Sequence, residues 1–311
     1  MSQRQDQSST RALVGVWKCL GLGMSGVSLR ALVLASVALA LLGCTTPDAV
    51  RQFTAMATEG AAQSRPLVQD ITASCIRKQL ADRPLNEIAD VTAEVTNTCK
   101  EFSDQEPNLL GAVTVLTQYL NALAQLAADQ TVTYDKQIDA FAAAVQPVGN
   151  FQTAHVTAIK GLAKFLFDAA ASGYQRKKLG NAVKAADVDI TTLADALGKI
   201  IGTDYDRLLR NEEESDRTRY REALRGDSNR TAQLLLQERW RQDLATLTGK
   251  RRAAQDYVAI LTKIRDGHRQ LAAQVNHWDA QQLVQILKPY AGTIKDLMTD
   301  FRTAYFSQPT A

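Results

Sequence analysis

Glycine and proline are scarce, at 17 and 7 residues in 311, and no alternating apolar/polar run rich in β-branched residues stands between turn signals. That combination excludes a sandwich or barrel built on hairpins. Aromatic residues make up only 6% of the chain and cysteines number four, so a disulfide-dense miniature scaffold is also excluded. Histidines number three, His155, His268 and His277, and no HExxH, HxxxH or CxxC spacing occurs, so no metal site and no cofactor is expected. GxSxG, Walker A and SxxK are missing too, and no enzyme is expected. Gly21-Leu22-Gly23-Met24-Ser25-Gly26 matches a dinucleotide fingerprint in letters only, because no strand precedes it and no βαβ unit surrounds it. Ala, Leu, Gln and Arg are abundant instead, and their straight side chains favour helix.

Charge is distributed in blocks. Residues 1–43 carry Arg4, Arg11, Lys18 and Arg30 against Asp6, which accounts for the whole net charge of +3. Residues 44–311 are therefore neutral, and nucleic acid is not an expected partner. Within them, 44–150 hold 7 basic and 13 acidic side chains, whereas 151–311 hold 25 and 19. Two halves that attract each other explain this asymmetry. A basic face, including Arg176-Lys177-Lys178 and Lys250-Arg251-Arg252, set against an anionic surface is the alternative.

The basic segment leads into Ala31–Leu42, an apolar run of twelve residues. Twelve fits a secretory signal and falls short of the roughly 20 that a spanning helix needs. The run ends in Leu41-Leu42-Gly43-Cys44, which resembles the lipobox of bacterial lipoproteins. The resemblance implies removal of residues 1–43 as a signal peptide, acylation of the Cys44 thiol, and a membrane anchor of several acyl chains, where one would be marginal. Thr45-Thr46, with no Asp at position 45, implies by the same resemblance an outer-membrane destination facing the periplasm. The alternatives are an ordinary signal cut after Ala38-Leu39-Ala40 and an uncleaved N-terminal anchor.

Residues 44–311 read as all-α: an elongated antiparallel bundle with long coiled-coil-like helices, shorter and acidic in 44–150, longer and basic in 151–311. Helices are expected near 48–80, 85–104, 108–129, 133–146, 152–184, 187–225, 228–275 and 278–306, with breaks at Asp82-Arg83-Pro84, Glu106-Pro107-Asn108, Gln146–Gly149 and Arg225–Ser228, and a kink or split at Pro66. Ala254, Tyr257, Leu261, Ile264, His268, Leu271, Val275 and Trp278 recur at steps of three and four, an a/d seam that Leu236, Trp240, Leu244 and Leu247 extend upstream. His268 on that seam is expected to be a satisfied core residue. Asp187-Val188-Asp189 is expected to cap a helix before Ile190.

The stripe Ile190, Leu193, Leu197, Ile201, Tyr205, Leu208 fades after Leu209 into Asn211–Glu222. A solvated face held by pairs such as Glu213–Arg217 is one reading of that stretch. A docking tip formed by Glu212, Glu213, Glu214, Arg217, Arg219 and Arg221 is the other. Cys75 and Cys99 flank the Pro84 turn and are candidates for a disulfide, worth roughly 3 kcal/mol at that separation. Val156–Gly173 is apolar but interrupted by Lys160, Lys164 and Asp168, so it suits a bundle interior or a membrane-surface segment and cannot span. These readings converge on a lipid-anchored envelope scaffold or adaptor with a protein partner. The rivals are a membrane-active long-helix protein and a small-ligand or sensory module.

Overall fold

The computed structural model describes residues 46–81, 83, 88–171, 179–226, 228–274 and 280–306, all within the unit Cys44–Ala311. The leader, Cys44, Pro84, Arg176-Lys177-Lys178, Val275, His277 and Trp278 lie outside the described residues. The described chain is all-α. Its helices are α1 Thr46–Ala62, α2 Arg65–Ala81, α3 Ile88–Thr98, α4 Lys100–Ala127, α5 Gln137–Ala144, α6 Thr153–Ala171, α7 Leu179–Lys199, α8 Asp206–Gly226, α9 Arg230–Ala273 and α10 Ala280–Phe306. A π-helical turn, Ile200–Tyr205, joins α7 to α8 without a break.

Sequence chemistry accounts for the boundaries. Ser64 ends the first helix by bonding the Ala61 carbonyl at 3.1 Å, and Pro66 falls in the first turn of the next, where a missing N–H costs nothing. Asn229 caps α9, its side-chain oxygen accepting from the Thr231 and Ala232 amides at 2.9 and 3.3 Å. Two expectations fail. The break set at Pro107 falls instead at Cys99, whose φ of −92° and ψ of 5° depart from helical values, while Pro107 sits inside α4. The apolar stretch beyond Pro107 packs tightly enough to carry the lost backbone bond. Asp187 is likewise no cap, since it lies inside α7.

The core is built around α4, where Leu109, Val113, Leu116, Tyr119, Leu120 and Leu123 are all buried. A helix apolar on most of its faces belongs at the centre of a bundle. It is long and apolar enough to cross a membrane, and 56% of its apolar stretch is buried in the bundle. α1, α2, α6 and α7 pack on it, α9 runs along α7, α8 and α10, and α1 lies between α4 and α10. The α9 seam is buried from Ala254 to Leu271. In α6 the inward face is Val156, Ile159, Leu162, Ala163 and Leu166, while Phe167 stays exposed.

Two close approaches set the direction of α1. A β-carbon on Gly267 would strike the Phe53 ring, and one on Gly60 would strike Ile260. The Tyr257 hydroxyl donates to the Ala61 carbonyl at 3.3 Å. As α1 runs from Phe53 to Ala61, α9 is therefore met in reverse order, from Gly267 to Tyr257, and the two helices are antiparallel.

Candidate functional site

Where α2, α8 and α9 meet, charged side chains enter the interior. Asp70 on α2 is the hub. Its carboxylate accepts both terminal nitrogens of Arg77 at 3.0 Å, the Lys250 ammonium at 2.9 Å and the Tyr205 hydroxyl at 2.7 Å. Glu212 on α8 accepts from the Ser74 hydroxyl at 2.6 Å and from Arg77 through Nε and Nη2. The π turn re-aims the residues beyond it, and Tyr205, the last of its six, faces inward to reach Asp70. Burial alone would raise the Asp70 carboxyl, but the Arg77 and Lys250 charges outweigh it and hold the group below its ordinary value. Arg77 is disfavoured by burial yet held charged by Glu212 and Asp70. Burial beside Asp70 drives the Tyr205 hydroxyl far upward, so it stays a donor.

Above this hub lies a cavity of about 400 Å³, lined by Arg77, Glu212, Asp216, Arg219, Arg239, Asp243, Thr246, Leu247 and Lys250 among others. Its charges are matched within the protein. Arg219 pairs with Asp216 at 2.8 Å, Arg239 with Asp243 at 3.2 Å, and Arg77 and Lys250 with the hub. Asp216 is raised by burial, with Arg219 opposing. Tyr220 closes the outer side by donating to Asp243 at 2.6 Å, and burial with that bond pushes it up to about 12. The described lining contains no His, Cys or Ser, and its Thr246 hydroxyl donates to the Gln242 carbonyl at 3.0 Å. No group of three or more His, Cys, Asp or Glu residues suited to a metal occurs among the described residues. The arrangement clamps three helices together through buried, fully partnered charge.

This overturns the docking-tip reading for part of its residues. Glu212 is 3% exposed and ion-paired, and Asp216 is 8% exposed. Glu213 is half-buried between Arg217 and Arg251, whereas Glu214, Arg217, Arg219 and Arg221 face solvent. The stripe of α8 does not fade after Leu209. It continues through Glu212, Asp216 and Tyr220 at the same three-and-four spacing, with carboxylates in place of leucines. That spacing is the signal in the sequence that marks both carboxylates as buried.

A second polar chain crosses the core. The Asp187 carboxylate accepts from His268 Nδ1 at 2.9 Å, and His268 Nε2 lies 2.8 Å from the Tyr119 hydroxyl. With Nδ1 as donor, Nε2 accepts from Tyr119. The bond from His268 holds Asp187 below its ordinary value. Tyr119 and His268 are both fully buried, so the chain Asp187–His268–Tyr119 satisfies polar groups of the core. Cys75 and Cys99 are joined by a disulfide that ties α2 to the start of α4, with α-carbons 5.9 Å apart. Comparison of the chain with protein-family models, curated proteins and solved structures gives no match.

Proposed function

We propose that the chain is a lipid-anchored scaffold or adaptor of the bacterial cell envelope, tethered through Cys44 and non-enzymatic. The observation that carries this reading is the twelve-residue apolar run ending in Leu41-Leu42-Gly43-Cys44. Two structural features support it. Helix α1 begins at Thr46, two residues beyond Cys44, so an acylated Cys44 would hold the helical body against its membrane with almost no linker. The Cys75–Cys99 disulfide suits an oxidising, exported compartment. A body whose interior charges are used to clamp helices is suited to hold a shape rather than to turn over a substrate.

Labelling with radioactive palmitate tests the reading. Label should enter the wild-type chain, the mature N-terminus should be Cys44 by mass spectrometry, and Cys44→Ala should lose both the label and the membrane fractionation. An unlabelled wild-type chain would leave the proposal without its basis.

A further inference from the structure

The two helices that grip the charged hub change character beyond it. No described residue from 221 to 246, spanning the end of α8 and the start of α9, is buried, although Leu224, Leu234, Leu235, Leu236, Trp240 and Leu244 lie there. Leu234 and Leu235 are 50% and 67% exposed. The hairpin holds itself together through Tyr220, which packs on Trp240 with centroids 5.6 Å apart. A helix pair with apolar side chains left in solvent lacks the further helices that complete a bundle.

Its cations are unevenly matched. Residues 221–246 contain five arginines, no lysine and four acidic residues. Arg217, Arg219, Arg239 and Arg241 are engaged by carboxylates of their own helices. Arg221, Arg225 and Arg230 are exposed and have no carboxylate partner among the described residues. Guanidinium groups bind carboxylates in bidentate fashion, which lysine cannot do.

We infer that the α8–α9 hairpin end, residues 221–246, docks an acidic amphipathic helix of another envelope protein. Its leucines would cover Leu234 and Leu235, and its carboxylates would pair Arg221, Arg225 and Arg230. A second copy of the same hairpin is disfavoured, because it would bring three further unpaired guanidinium groups and, among the described residues of the stretch, a single unpaired carboxylate, Glu222, to meet them. The chain's own membrane is also a poor occupant, an argument that rests on the anchoring reading above. Phe53 of α1 sits beside Gly267, and 32 residues of α9 separate Gly267 from Leu235, about 48 Å of helix at 1.5 Å per residue. The anchored end and the hairpin end therefore lie far apart along α9. The tip itself, around Ser228 and Asn229, is polar, unlike a membrane-inserting loop.

The test places benzoylphenylalanine at Leu235 of the full chain in its own cells, with exposed Val188 on α7 as the control site. Irradiation should give a cross-link at position 235 and none at 188. Mass spectrometry of the cross-linked peptide should find an acidic segment of a different protein with apolar residues at three-and-four spacing. Reversing Arg221, Arg225 and Arg230 to Glu should cut the yield at least tenfold while palmitate labelling, followed in the same cells, is unchanged. A cross-link only to lipid, only to a second copy, equal yield at position 188, or full yield after charge reversal each overturns the proposal. Loss of palmitate label in the wild-type chain with the cross-link retained would instead remove the anchor and leave the docking surface.

Discussion

The inner and outer stretches of the α8–α9 pair share helices and differ in almost everything else. Inside, the pair buries Leu209, Glu212, Asp216, Leu247 and the seam beyond Ala253, and the buried carboxylates Glu212 and Asp216 are both ion-paired. Outside, from 221 to 246, Leu234 and Leu235 are exposed and three arginines have no carboxylate partner among the described residues. The inner part spends charge on holding α2, α8 and α9 together. The outer part keeps its apolar and cationic groups available. The difference teaches that buried charge here belongs to architecture, and that exposed leucine is the better pointer to an interaction.

The comparison breaks most severely at Asp70. Removing the carboxylate leaves Arg77 with Glu212 alone and strands the Lys250 ammonium, 14% exposed, and the Tyr205 hydroxyl. Asp70→Ala is expected to cost about 3–5 kcal/mol in urea unfolding, because breaking a buried pair leaves an uncompensated charge. The pH dependence has a definite sign. Asp70 binds its proton more weakly in the fold than in the unfolded chain, so its stabilisation is complete at neutral pH. It is lost as pH falls below about 4 toward the lowered native value. Unfolding curves of wild type and Asp70→Ala should therefore converge on acidification. Curves that stay equally far apart down to pH 2 would show that Asp70 acts by packing.

Next in size is the disulfide. Cys75→Ser with Cys99→Ser frees a loop whose closure is worth about 3 kcal/mol, and the loss should appear as a lower urea midpoint. Because the bond ties α2 to α4, the double variant should also expose amides of α2 to hydrogen exchange before those of the α9 seam. Uniform deprotection across both helices would mean that the inner region unfolds as one unit.

Much of the inner region is legible in the sequence. The three-and-four spacing of Ala254, Tyr257, Leu261, Ile264, His268 and Leu271 marks the residues that are buried, and His268 is the satisfied core residue expected of it. The hub is not legible, because Asp70 and Arg77 stand about 135 positions from Tyr205 and Glu212, and periodicity carries no information about which helix faces which. Glu212 and Asp216 misled for a second reason. Carboxylates in a stripe read as solvent-facing unless their partners are known. Pro107 and Cys99 show local propensity losing to tertiary packing, since a proline expected to break a helix sits within α4 and the break falls at a disulfide. The end of the seam escaped for the opposite reason: Leu236, Trp240, Leu244 and Leu247 continue it in spacing, yet only Leu247 is buried and the other three are half-buried.

The smallest expected effect sharpens the comparison most. Leu247 and Leu235 lie on the same helix twelve residues apart, 3% and 67% exposed. Leu247→Ala opens a cavity beside the hub and should cost about 2–5 kcal/mol. Leu235→Ala removes a side chain that touches little in the isolated protein, and its effect should stay within about 0.5 kcal/mol. Both are read from the same urea titration at low protein concentration. If Leu235→Ala costs as much as Leu247→Ala, the hairpin end is packed in the isolated protein. A concentration dependence of that cost would identify the packing as a second copy. If the cost is near zero, stability gives no reason for a leucine at position 235, and the cross-linking yield becomes the property that the side chain controls.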